Sequence, residues 1–400
     1  MADHGGSSGE RTLEQVRAEI LRRAGRNSPL EHITAEDAQA AVSALTSLDR
    51  DQWAAVWCAI GLRHEAQGDA LLQQGADGKA IGDAWFRAYA NCRTGRYPVA
   101  STPGKVTAYR HSLRCFRKAA RYFDPPLQIV ELPFEGGTLT GYLQVPPGHT
   151  RPPVVIHWGG VDGWKEDRQR NSGLLQREGF ATFTMDMPGT GENPVGYMEP
   201  DAERTFAAAI DHLAARDDVD GSRIGVWGGS FGGYWATKLA HIESRRIRAA
   251  VTQGGNVHYG FQRDWLEPAL TRTAATYLLG PASLLDARSW VLGAGTLAAV
   301  LDMAPRLSLK DQGLLDGPCA PLLAVNGKRD DQAPIDDVYL LLEHGVPKSA
   351  RVYPEGGHMG RTPGMKESAI AVMIAQWLGQ QLAVESGVSW RRAKSTNENR

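Results

Sequence analysis

The chain has 400 residues, 42% of them apolar and 22% charged, with 44 lysines and arginines against 45 acidic side chains. That is enough for one large α/β domain and an accessory domain, and a balance so near neutrality argues against nucleic acid or an anionic membrane as partner. The four cysteines, Cys58, Cys92, Cys115 and Cys319, are spread along the sequence without a CxxC pair. This argues against a disulfide framework or a metal site and for reduced thiols in a cytoplasmic protein.

The opening MADHGGSSGERT has no apolar stretch, so no signal peptide is expected and residues 1–11 read as a mobile lead-in. From residue 12 to about 124 the pattern is helical. Thr12 with Gln15 forms a capping box, and Thr34 with Asp37 is a looser version. Trp53, Val56, Trp57 and Ile60 share one helical face, as do Val106, Tyr109, Leu113 and Phe116. Trp85, Phe86 and Tyr89 are expected in a core or subunit contact rather than at substrate. Asp124-Pro125-Pro126 ends the region, because a residue before proline is pushed out of helical geometry.

The period then changes. Segments 129–134 and 139–145 alternate as a hairpin through Glu135-Gly136-Gly137, and 153–158 is an apolar run suited to a strand buried on both faces. Further strands are predicted at 181–186, 223–227, 248–253, 321–326 and 350–353, with helices around Leu174 and at 201–215, 233–242, 336–344 and 365–382. Strands alternating with helices predict an α/β fold: a mostly parallel doubly wound sheet, entered by an antiparallel hairpin, spanning 127–384. Residues 256–316 interrupt the alternation and are expected to form a helical lid. Its uncharged run from Trp290 to Leu301 is too short and too glycine-broken to span a bilayer. The polar residues 385–400 read as a mobile tail.

Within this frame Gly228-Gly229-Ser230-Phe231-Gly232 falls between a strand and a helix. A serine flanked at two residues on each side by glycine suits a tight strand-to-helix turn that projects its hydroxyl, so Ser230 is the candidate nucleophile. A serine hydroxyl needs a base, and the base needs an acid to fix its tautomer. The candidate base is His358, in a glycine-flanked loop after the last strand, in preference to His157 and His258. The candidate acid is Asp330, favoured over its neighbour Asp331, while Asp336 and Asp337 are expected to start the next helix. The glycine turn after the first buried strand offers Gly160 and Val161 as oxyanion donors, with the Phe231 N–H as the second. Trp158, Trp164 and Glu166 near that turn, and Tyr259 and Trp265 in the insertion, are candidate substrate contacts. Glu192 is expected as a buried structural carboxylate.

Taken together, the chain resembles an α/β-hydrolase. More narrowly, it resembles the branch that contains 2,6-dihydroxy-pseudo-oxynicotine hydrolase, the fungal polyketide chain-shortening hydrolase of pigment synthesis and the fermentation-respiration switch proteins. The resemblance is carried by Trp85-Phe-Arg-Ala-Tyr89, Arg96-Tyr97-Pro98, Gly159-Gly160-Val-Asp-Gly-Trp-Lys165-Glu166, Asp186-Met-Pro-Gly-Thr-Gly-Glu192, Gly228-Gly-Ser230-Phe-Gly-Gly233, Gly327-x-x-Asp330 and Gly356-Gly-His358. It implies a cofactor-free Ser-Asp-His enzyme acting on a small molecule, a homodimer through the helical region, and a role for Glu166 near substrate in carbon–carbon hydrolases. The expectation is cleavage of an ester, or of a C–C bond next to a ketone, in an aromatic or polyketide-like molecule. The alternatives are an acyltransferase or cyclase with the same triad, or a non-catalytic binding protein.

Overall fold

In a computed structural model that describes residues 10–272, 277–344 and 348–382, the helical region begins with α1 (Leu13–Arg23) and α2 (Ala35–Ala44) and continues through α3 (Arg50–Gln73), α4 (Gly78–Arg96) and α5 (Pro103–Ala119). Thr12 and Gln15 cap α1 reciprocally, whereas Thr34 caps α2 in one direction only, by accepting from the Asp37 N–H. Trp53, Trp57, Ile60 and Phe116 are buried as their spacing predicts, and Val106, Tyr109 and Leu113 are half-buried. Burying rings of this size contributes up to about 3 kcal/mol each. Cys58, Cys92 and Cys115, remote in sequence, converge where α3, α4 and α5 meet, and all are free thiols.

The sheet follows. Strands β1 (Gln128–Phe134) and β2 (Gly137–Gln144) form the hairpin, with Phe134 opposite Gly137. The remaining strands are β3 (Pro153–Trp158), β4 (Ala181–Met185), β5 (Asp220–Gly229), β6 (Ala249–Gln253), β7 (Leu322–Gly327) and β8 (Lys348–Tyr353). They lie in the order β1-β2-β4-β3-β5-β6-β7-β8, antiparallel from β1 through β4 and parallel from there on. Strands β3 and β4 are buried at every residue, which is why they read as apolar runs without alternation. Helices α6 (Gln169–Arg177), α7 (Arg204–Ala214), α8 (Gly233–Ile242), α12 (Ile335–Glu343) and α13 (Glu367–Gln381) flank the sheet.

Between β6 and β7 the insertion carries α9 (Arg263–Arg272), α10 (Pro281–Leu292) and α11 (Leu297–Met303). Among the described residues no single helix is long and apolar enough to cross a membrane. Of the expected mobile ends, 1–9 and 383–400 lie outside the described residues, but the Glu10 carboxylate accepts from the Ala282 N–H at the start of α10.

Candidate active site

The turn after β5 leaves no room for side chains around Ser230. A Cβ on Gly228 would collide with the Gly232 carbonyl, and one on Gly232 with that of Gly159. Ser230 itself takes φ of +56°, a left-handed conformation that strains a residue with a side chain. Its hydroxyl is thereby aimed at His358: Ser230 Oγ lies 2.7 Å from His358 Nε2, and His358 Nδ1 lies 2.8 Å from Asp330 Oδ2. The other Asp330 oxygen accepts from the backbone N–H groups of Gln332 and Ala333. Burial works to raise this carboxyl, but His358 and those amides outweigh it and hold Asp330 below its ordinary range.

The neighbouring acid is different. Asp331 makes no bond to His358 among the described residues, and burial pushes its carboxyl up to about 6. Because its folded value exceeds the unfolded one, it costs nothing below about pH 4, its penalty grows as pH rises through the interval, and it is fully present above about pH 6. Asp331→Asn should therefore raise the melting temperature at pH 8 and leave it unchanged at pH 4, while keeping most of the turnover. Thermal melts at the two pH values check the sign.

The candidate oxyanion loop sits over the serine. A methyl on Gly160 would lie 2.7 Å from Ser230 Cβ and 3.2 Å from the Phe231 nitrogen, so the glycine permits the approach. Gly160 and Val161 line the same pocket as Ser230 and His358, a cleft of about 360 Å³. One residue that sequence reasoning missed is Gln253, at the end of β6. It accepts from the Trp227 indole and donates to the Met359 carbonyl, which fixes the backbone beside His358.

The candidate substrate contacts do not gather here. Trp158 is 1% exposed, donates to the Gly232 carbonyl and packs on Phe206, so it forms the floor beneath the turn. Trp164 turns inward as well, bonded to the Val161 carbonyl and covered by the Arg96 guanidinium at 3.6 Å. Glu166 is buried away from the pocket, paired with Lys165 at 2.8 Å and accepting from the Tyr142 hydroxyl at 2.9 Å. Lys165 also pairs with Asp186 and Glu192; burial opposes its charge, but Asp186 and Glu166 outweigh it. Tyr259 and Trp265 line a separate groove with Asp264, Pro334 and Tyr339. Motif proximity set Trp158, Trp164 and Glu166 beside the glycine turn in sequence, but their side chains are buried in packing and ion pairs, and Tyr259, 40% exposed, opens on the other groove.

The competing histidines are also elsewhere. His157 is buried against Ser172, and burial lowers its imidazole to about 3; His258 bonds Ser308. Asp337 lies in the first turn of α12, yet its main partners are the N–H groups of Val257, His258, Tyr259 and Gly260, all accepted by one carboxylate. The pocket wall instead includes Asn27, Glu31 and His32 from the helical region and Tyr277 and Arg288 from the insertion. The helical region is tied there by Asp167, which binds Arg93 Nε at 2.7 Å, Arg96 at 3.2 Å and the Tyr89 hydroxyl.

Comparison with known proteins gives this arrangement its family. Residues 31–350 match the family described as "Esterase FrsA-like". Esterase FrsA from Yersinia pestis (strain Pestoides F) and from Yersinia pseudotuberculosis serotype O:1b (strain IP 31758) are each 27% identical over 299 residues, which is 72% of this chain and 68% of theirs. The solved 2,6-dihydroxy-pseudo-oxynicotine hydrolase matches at a TM-score of 0.74 and 22% identity, over 93% of this chain and 97% of its own. Wild-type AbyA5 matches at 0.71 and 22%, over 91% and 94%. With an eight-stranded hydrolase sheet and a family match over most of its length, the chain belongs to the FrsA-like esterase family and is an α/β-hydrolase.

Proposed function

We propose that the protein hydrolyses carboxylic esters through an acyl-enzyme formed on Ser230. The observation that carries this reading is the continuous relay from Ser230 Oγ through His358 to Asp330, at 2.7 and 2.8 Å. His358 Nε2 takes the hydroxyl proton as Ser230 attacks the ester carbonyl, and Asp330 stabilises the imidazolium that forms. The N–H groups of Phe231 and of the Gly160–Val161 turn receive the negative oxygen. Collapse expels the alcohol, which His358 protonates; water, deprotonated by the same imidazole, then releases the acid.

Ester cleavage is preferred to carbon–carbon cleavage because Glu166, the residue expected to serve the latter, is committed to Lys165 and Tyr142. Trp158, Trp164, Tyr259 and Trp265 do not line the pocket, and the aromatic side chains that do are Tyr97, Trp227 and Tyr277, so any preference for an aromatic or polyketide-like ester rests on those three. Fluorophosphonate labelling, followed by turnover of a panel of esters and β-diketones, tests the reading. Labelling at Ser230 with esters cleaved fastest is expected. Absence of labelling, or a β-diketone cleaved faster than every ester, would overturn it.

A further inference from the structure

The charged side chains around the Ser230 pocket are mostly satisfied in pairs. Glu19 holds Arg22 and Arg23 at 2.6 and 2.5 Å, and Arg361 is held by Glu367 at 2.9 Å. Among the described residues three guanidinium groups lining the pocket have no ion pair: Arg170, which is exposed, and two that carry buried nitrogens, Arg288 on α10 and Arg168 beyond the oxyanion turn.

Arg288 is only 6% exposed, and its Nη1 is buried with no hydrogen-bond partner among the described residues. Its guanidinium carbon lies 4.4 Å from the centroid of Phe231, the residue directly after Ser230. Burial lowers its basicity; Tyr277, Asp162 and Asp330 oppose this through space, and none of the described carboxylates forms an ion pair with it. Arg168 leaves its own Nε buried and unpartnered among the described residues, and it packs beside Gly163 and Gly229 on the same pocket. Asp162, half-buried nearby on the wall, and Glu31, whose Oε2 is buried without a hydrogen-bond partner among the described residues, line the same pocket and offset part of this charge.

A guanidinium nitrogen held out of water without an acceptor costs free energy in the empty protein. The cost is recovered when an anion arrives, and the planar fork of arginine fits a carboxylate through two parallel hydrogen bonds. We infer that Arg288, assisted by Arg168, is a subsite for a carboxylate carried by the substrate, so that the enzyme prefers esters whose acyl chain ends in an acid. The spacer between acid and ester is short, because the ring over which Arg288 lies belongs to the residue adjoining Ser230. This inference rests on the reading of Ser230 as nucleophile, which sets where the reacting carbonyl sits.

The test compares para-nitrophenyl butyrate with mono(para-nitrophenyl) glutarate on the full-length protein. A charge-assisted hydrogen bond formed only by the acid should favour the glutarate in kcat/KM by about 10-fold or more. Arg288→Met should reduce that ratio by about 10-fold, to near one, chiefly through KM, and Arg288→Lys should restore part of it. A wild-type ratio at or below one, or a ratio unchanged in Arg288→Met, would overturn the subsite.

A second measurement needs no turnover. Glutarate, but not glutaramide, should raise the melting temperature of wild type and of Ser230→Ala, and should fail to do so in Arg288→Met. Without ligand, Arg288→Met should melt about 2 °C or more above wild type, since it removes an unpaired buried charge. A variant that melts lower, or one still stabilised by glutarate, assigns Arg288 to structure and refutes the proposal. If neither ester is cleaved and the phosphonate does not label, the hydrolase reading fails while the melting shifts still decide the subsite.

Discussion

Ser230→Ala is expected to abolish ester turnover, by roughly a millionfold in kcat, and to abolish fluorophosphonate labelling with it. The magnitude follows from how the three groups work as a unit. Without Oγ there is no acyl-enzyme, and the base that remains, His358, has no bound proton donor to activate. His358→Ala should cost about as much, because its Nε2 is the atom that receives the proton and later returns it. Asp330→Asn should cost less, about ten-thousandfold. An amide in that place leaves the geometry intact but favours the wrong tautomer at Nδ1, and it no longer stabilises the imidazolium. The contrast with Asp331→Asn is the most discriminating part of the series. Two adjacent carboxyls differ only in which one reaches the imidazole, at 2.8 Å for Asp330. Residual activity in Ser230→Ala above a hundredth of wild type would mean that another residue performs the attack.

The largest effect on stability is expected at Asp167. Its carboxylate is buried and accepts from Arg93, Arg96, the Tyr89 hydroxyl and the Trp164 N–H, while Arg93 also reaches the Pro29 carbonyl at 2.6 Å. Burial alone would raise this carboxyl, but the two guanidinium groups hold it far below its ordinary range. Asp167→Ala strands two nearly inaccessible cations, and removing one partner of a buried ionic cluster typically costs about 3–5 kcal/mol. Urea unfolding should show that loss. The same linkage gives a pH signature: since the folded value lies below the unfolded one, the contribution is whole above about pH 4 and is withdrawn as pH falls further. The variant should therefore lack much of the wild-type acid sensitivity. Replacing Arg93 and Arg96 with methionine in the Asp167→Ala background should return part of the stability. Single-variant stability within about 1 kcal/mol of wild type would contradict the account.

The strand and helix positions and the grouping of Ser230, Asp330 and His358 were legible because each rests on local chemistry. Strands β3 and β4 announce themselves by continuous apolar runs, the serine by the glycines its backbone needs, and the acid and base by their place after successive strands. The pocket wall was not legible, because it is assembled from distant segments. Arg22 and His32 come from the far N-terminal side of the chain, and Arg288 comes from an insertion whose fold has no period to read. The aromatic and acidic residues beside the glycine motifs were misleading for the same reason. Sequence proximity to Gly160 did not say that Trp158 turns under the sheet end, or that Glu166 turns toward Lys165. Likewise, nothing in the spacing of Cys58, Cys92 and Cys115 foretold their meeting.

Asp337 has a consequence for how firmly the insertion beside the site is held. Four consecutive amides, from Val257 to Gly260, are bonded to one side chain of α12, so the root of the insertion is riveted to the body of the fold. A hinge needs backbone torsions that are free to change, and these four have none to spare. The far end of the insertion is fastened too, since Asp286 of α10 binds Arg50 at 3.0 Å and Ser101 at 2.8 Å and the Val291 carbonyl accepts from the Met198 N–H, so the Ser230–His358–Asp330 relay and the wall that carries Arg288 share one frame.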